Sequence, residues 1–151
     1  MSTTTIVTRK SDASWKGDFK NGYGELSTES GTLQKSRFSL KNRMGEEGPG
    51  QTNPEELLAA AAASCFSMAL SKQLTEAETV PSQLVVTASL DTEIDDGISM
   101  SKLTIDAEGI VPASDEKAFS EAVEETAHTC PVMKTLAPAF KEVIVNAKLR
   151  Q

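Results

Sequence analysis

Histidine occurs once in the 151-residue chain, cysteine twice, and tryptophan and tyrosine once each. One histidine, His128, with two cysteines 65 positions apart, argues against a structural zinc site, which draws three or four closely spaced His, Cys or carboxylate ligands. There is no C-x-x-C pair, no G-x-G-x-x-G after a strand pattern and no phosphate-loop lysine, so neither a metal nor a nucleotide cofactor is expected. No apolar run reaches 18 residues, and Met1-Ser-Thr-Thr-Thr lacks the basic and apolar regions of a secretory signal. A cytoplasmic location is the resulting expectation. Basic residues are also short, 15 against 22 acidic, for a net charge of −7. That balance argues against nucleic acid and against anionic membrane surfaces as partners. Two cysteines in a cytoplasmic chain are reduced thiols or a transient, catalytic bond rather than a structural framework. With 38% hydrophobic and 25% charged residues, the chain reads as one globular domain over 1–151, frayed over 1–12.

What is abundant sits in one stretch. Thr52-Asn53-Pro54-Glu55-Glu56-Leu57-Leu58 runs into the small residues 59–64 and then Cys65-Phe66-Ser67-Met68-Ala69-Leu70. Asn53 suits an N-cap, Pro54 the first helical position, and Glu56 sits three residues after Asn53, as in a capping box. Alanine has the highest helix propensity, so a long helix is expected from Pro54 to about Glu76. Leu58, Ala61, Ala62, Cys65, Met68 and Ala69 share one stripe at helical spacing, with Phe66 and Leu70 beside it. The breadth of that surface predicts a central, well-buried helix, and its lack of bulk lets another backbone come close.

Strand patterns flank this helix. Around Trp15 and Phe19 the chain alternates, Asn21-Gly22 carries a type I′ hairpin signal, and Tyr23 to Thr28 returns. A third strand is expected over 33–40, followed by a glycine-rich loop from Asn42 to Gln51. Leu84 to Ile94 and Ile98 to Ala107 form a second hairpin about Asp95-Asp96-Gly97. A second helix runs from Ser114 or Asp115 to about Thr129, Pro131 interrupts it, residues 131–136 form a short segment, and the alternation from Phe140 to Leu149 closes the chain as a strand. Hairpins dominate this order, so the expected class is α+β with antiparallel sheets.

Both cysteines lie on apolar helical faces, where a thiol is either a small core residue or a reactive pair in which one attacks and the other resolves. Reactivity requires a stabilised thiolate. The helix start cannot supply that for Cys65, ten residues or about 15 Å beyond Glu55. A cation must, and Arg37 and Arg43 are the arginines nearest in sequence. An acid such as Glu55 could hold it. His128 is either a surface residue or an auxiliary donor near Cys130.

Thr52-Asn53-Pro54-Glu55-Glu56-Leu57, the small-residue run, Cys65-Phe66-Ser67-Met68-Ala69-Leu70 and the distant Cys130-Pro131-Val132 resemble the osmotically inducible protein C and organic hydroperoxide resistance superfamily (OsmC/Ohr). The likeness extends upstream through Trp15-Lys16-Gly17-Asp18, Gly22-Tyr23-Gly24, residues 27–31 and Asn42-Arg43. That early block resembles the OsmC branch, and the whole covers about residues 13–149. One departure is Gly48-Pro49-Gly50-Gln51, which lengthens the loop before Thr52.

The resemblance implies an OsmC-like fold, two central helices wrapped by sheets in an intertwined homodimer, and a thiol-dependent peroxidase acting on organic (alkyl or fatty-acid) hydroperoxides in oxidative or osmotic stress defence. By it, Cys65 is the peroxidatic thiol, Arg43 stabilises the thiolate, Glu55 orients the arginine, and Cys130 resolves a Cys65 sulfenic acid to a Cys65–Cys130 disulfide that a dithiol, such as one of lipoyl type, reduces. One arginine held by Glu55 at the helix start does not readily reach Cys65 about 15 Å along the same helix. Arg43 and Glu55 of one copy are therefore expected to serve Cys65 of the other, across helices packed through the alanine run about Ala62. Leu58, Phe66, Met68 and Phe140 are candidate substrate walls as well as candidate core. The alternatives are a non-catalytic small-molecule-binding or redox-sensing protein on the same scaffold, and a purely structural stress protein.

Overall fold

Trp15 and Tyr23 lie in the first hairpin, β1 (Ser11–Lys16) against β2 (Tyr23–Thr28), which is antiparallel from Ser11 opposite Thr28 to Lys16 opposite Tyr23. The computed structural model describes residues 3–46 and 48–151; Glu47, within the expected loop from Asn42 to Gln51, lies outside them. The chain folds as two compact units, Met1–Pro54 and Glu55–Gln151.

In the first unit the hairpin is as expected but its turn is not. The connection runs over 17–22, with Gly17 at φ +89°, and neither Asn21 nor Gly22 takes the positive φ of a type I′ turn. Asp18 outcompetes the Asn-Gly signal. Its carboxylate accepts from the amides of Lys20 and Asn21 at 2.9 and 3.0 Å, and the Gly22 amide donates to the Asp18 carbonyl. Those amides, Asn21 first, hold the Asp18 carboxyl below its ordinary pKa.

The third strand, β3 (Ser36–Phe38), is shorter than expected because the chain turns into a one-turn helix, α1 (Leu40–Arg43). Ser39 caps it by accepting from the Asn42 amide at 3.1 Å. Arg43 thus stands at the end of a helical turn, not in the glycine-rich loop. Gly24 on β2 is opposite both Trp15 on β1 and Phe38 on β3. A Cβ there would fall inside the Phe38 ring, so the bare glycine gives that ring its place. The Trp15 and Phe38 rings stand 5.8 Å apart at 45°.

The long helix, α2 (Pro54–Glu76), has the expected bounds. In the second unit it packs against β4 (Gln83–Ile94), β5 (Ile98–Ile110), β6 (Glu142–Arg150), α3 (Glu116–Thr129) and α4 (Pro131–Leu136), with one 3₁₀ turn at Ala137–Ala139. Strand order is β4-β5-β6. The hairpin expectation holds for β4–β5, whereas β6 runs parallel to β5 because α3 and α4 form the crossover between them.

Leu103, Ile105 and Ala107 point from β5 into a core completed by Ala62, Phe66, Leu70 and Leu74 of α2, Phe119 and Val123 of α3, and Met133 of α4. On β5 the apolar phase changes from Met100 to Leu103. The pairing slips there, from Asp91 opposite Lys102 to Thr92 opposite Met100, so Ser101 is an extra residue in a bulge.

The buried stripe of α2 differs from the expected one. It is Ala62-Phe66-Leu70-Leu74, each four residues from the last, with Cys65 and Ala69 half-buried at its edge. Ala61 and Met68 face outward, Met68 at 74% exposure. The four-residue step brings the bulky Phe66, Leu70 and Leu74 inward, while alanine loses little by facing water. Ala62 therefore belongs to this chain's own core rather than to a helix-packing surface between copies. By length and composition α2 is also apolar enough to cross a membrane, but its bulky stripe lies in this core.

Gly109 on β5 shows how closely α3 packs on the sheet. A Cβ there would stand 2.6 Å from Cε2 of the buried Phe119 ring. Gly109→Ala is expected to destabilise the protein by about 1–3 kcal/mol through overpacking, read as a lower denaturant midpoint at unchanged m-value.

Candidate active site

Pro131 decides the position of the second thiol. It cannot continue α3, and the residue before a proline is pushed to extended backbone; Cys130 accordingly has ψ 121°. Its amide still closes α3 by donating to Thr126 O at 2.9 Å, and its carbonyl accepts from the Lys134 amide of α4. Cys130 is at once the end of α3 and the start of α4, and it is fully buried.

Burial pushes the Cys130 thiol above the ordinary cysteine pKa. The Met133 amide opposes this, Cys65 beside it adds to the rise through a hydrogen bond and its charge, and the Val132 amide opposes weakly. The two cysteines, remote in sequence, are thus neighbours in the second unit. They differ in exposure: Cys65, one step from the buried stripe of α2, is only half-buried. Both are free thiols.

The remaining expected site residues fall on both units. Glu55 is buried in the first turn of α2. Arg43, in the first unit, lines a cavity of about 340 Å³ with Trp15, Phe19, Phe38, Leu40 and Pro54. Arg37, the other arginine considered, is exposed on β3 with its guanidinium 4.0 Å above the Tyr23 ring. His128 is exposed in the last turn of α3. Of the candidate substrate walls, Phe66 is wholly in the core and Met68 faces away from it, while Phe140 packs on the core's edge. Trp15, Phe19 and Phe38, the aromatic rings of that cavity, are not among the substrate walls the sequence suggests; the spacing that pairs Trp15 and Phe38 across Gly24 is legible only once the strand register is known. Among the described residues no group of three His, Cys, Asp or Glu side chains could hold a metal ion.

The family model for OsmC-like protein matches residues 45–143. Peroxiredoxin OsmC of Escherichia coli (strain K12) is 41% identical over 132 residues, 86% of this chain and 90% of that protein. The chain belongs to the OsmC-like family. Solved structures of low identity share the OsmC-like fold. An organic hydroperoxide resistance protein from Elizabethkingia anophelis has a TM-score of 0.77 at 21% identity, over 98% of this chain and 100% of that one. OhrB of Bacillus subtilis has a TM-score of 0.69 at 22% identity, over 97% and 100%.

The raised Cys130 pKa has a signed consequence in this OsmC-like protein. The unfolded thiol loses its proton near its ordinary value of about 8.5, while the folded one keeps it. The stability contributed by the neutral buried thiol is full below that value and declines as pH rises toward the folded pKa. The reduced protein is expected to lose stability more steeply above about pH 8.5 than Cys130→Ala does, measured by denaturant midpoints across pH. Equal slopes would remove Cys130 as the cause.

Proposed function

We propose that the chain reduces organic hydroperoxides to alcohols, with Cys65 as the attacking thiolate and Cys130 as the resolving thiol. The family makes it a peroxidase; the residue roles are our reading. The observation that carries them is the pairing of a half-exposed thiol with a fully buried neighbour whose proton is held by burial. A peroxide meets the accessible sulfur, and the thiolate is the nucleophile. The protonated Cys130 is suited to wait as hydrogen-bond donor.

The Cys65 thiolate attacks the terminal oxygen of ROOH. The O–O bond breaks, the alkoxide takes a proton to leave as ROH, and Cys65 becomes a sulfenic acid. The Cys130 sulfur then bonds to the Cys65 sulfur, and the expelled hydroxide leaves as water with the Cys130 proton. An external dithiol reduces the disulfide by exchange, becoming a disulfide itself.

Arg43 stabilises the thiolate and the charge developing on the departing oxygen, and Glu55 orients its guanidinium. The family motif supports both assignments. So does the engagement of Arg37 with Tyr23, and so does the burial of Glu55, since a buried carboxylate requires compensation. In this reading the chain acts as a cytoplasmic homodimer in stress defence, with Arg43 and Glu55 of one copy serving Cys65 of the other. The outward α2 positions Ala61, Ser64 and Met68, rather than Ala62, are the ones to probe for the pairing. A binding protein would need neither thiol.

One equivalent of an organic hydroperoxide is expected to remove two hydrogens and both free thiols from the reduced protein. Cys130→Ser should instead gain one oxygen and trap with dimedone, and Cys65→Ser should consume no peroxide. Activity retained in Cys65→Ser would sink the mechanism. Separately, Arg43→Ala should lower kcat/KM about a hundredfold, as loss of one charge-stabilising donor does, in a steady-state assay with a dithiol.

A further inference from the structure

The first unit buries few of its large side chains, yet three of its aromatic rings surround one cavity of about 340 Å³. Within a single copy Phe19 is 67% and Trp15 40% exposed, so this aromatic surface is not used up by the chain's own core. The walls are built to stay in place. The Trp15 indole N–H donates to Gly17 O at 3.1 Å, and the Phe38 ring lies over the bare Gly24. Phe19 sits on the 17–22 loop, which the Asp18 carboxylate pins through two backbone amides. The polar side chains in the lining are Arg43 and Ser39. An apolar chamber of this size with a few polar groups has the character of a small-molecule site. An apolar cavity of about 150 Å³ already holds benzene, so this one admits a phenyl ring with a branched substituent.

We propose that this cavity binds the organic portion of an aryl hydroperoxide, and that Trp15, Phe19 and Phe38 give the enzyme a preference for aryl over purely aliphatic hydroperoxides. The aromatic rings receive the substrate ring in tilted contacts of the kind Trp15 and Phe38 already make with each other. The Arg43 end receives the hydroperoxide. This rests on the peroxidase reading through Arg43, the one residue common to the cavity and the proposed chemistry. It moves the expected substrate walls from Leu58, Phe66, Met68 and Phe140 to the first unit.

Two readouts separate this inference from the reading beneath it. The first is the ratio of kcat/KM for cumene hydroperoxide to that for tert-butyl hydroperoxide. Phe19→Ala is expected to lower the ratio about fivefold, and Phe19→Tyr to restore it. Phe19 is exposed on a loop, so the change does not threaten folding. The second readout needs no turnover. Trp15 is the sole tryptophan, so its fluorescence reports the cavity directly. Titration with 2-phenyl-2-propanol, the alcohol product, should change that emission saturably, more weakly in Phe19→Ala, whereas tert-butanol should not. An active enzyme with an unmoved ratio and a silent Trp15 overturns the aryl site. A saturable Trp15 response without any peroxide consumption keeps the aryl site and overturns the peroxidase reading.

Discussion

The helix break at Cys130–Pro131 is the constraint on which the thiol pair depends. Periodicity alone aims residue 130 inward, eleven residues after the buried Phe119. A continuous helix would spend the following amides on its own carbonyls. Pro131 ends α3 and starts α4, so the amides of Val132 and Met133 are free to act on the Cys130 sulfur. They partly offset the cost of burying an ionisable thiol under α2. Burial still wins, and the balance leaves a thiol that is protonated but close to a second sulfur.

The first unit solves a different problem with little material. Its chain is too short to build a layered core, and β1 is exposed along its length. Order comes instead from local bonds and from glycines that make room for rings. Asp18 ties the 17–22 loop, Ser39 caps the helical turn that ends at Arg43, and Gly24 seats Phe38. A short helical turn fixes the backbone of an arginine better than a glycine-rich loop does. The rings left outside the core are then a cost to the folding of a single copy, and such surface persists where it binds something.

Much of this architecture was legible in the residues. The cap and alanine signals set the bounds of α2, the proline at 131 set the break, and Cys65 and Cys130 stood out by scarcity. The misreadings share one cause, competition that a one-dimensional pattern does not weigh. Asn21-Gly22 is a strong turn signal, but Asp18 offers its carboxylate to two amides and wins a longer turn. Ala61 and Met68 fit a helical stripe as well as Phe66 and Leu70 do; bulk decides, because burying Phe66 removes far more apolar area than burying Ala61. The parallel pairing of β6 follows from the crossover, which hairpin counting misses. The neighbourhood of Cys65 and Cys130 is a tertiary fact. No spacing between positions 65 residues apart encodes it, and only the family motif carried it in the sequence.

The unequal burial of the two thiols also argues for an order of events. If Cys130 reacted first, a peroxide would have to enter a core closed to solvent, and a thiolate would have to form where burial disfavours charge. With Cys65 first, the charged nucleophile stands at the core's edge, and the step that consumes Cys130 brings no new molecule into the interior. The condensation expels only water. In the proposed mechanism Cys130 is kept from direct over-oxidation by the same packing that disfavours its thiolate, while its nearness to Cys65 makes it available once a sulfenic acid has formed. For the proposed roles, access and pKa act in the same direction, and a change that opens the core around Met133 or Val123 would blur them without touching either sulfur.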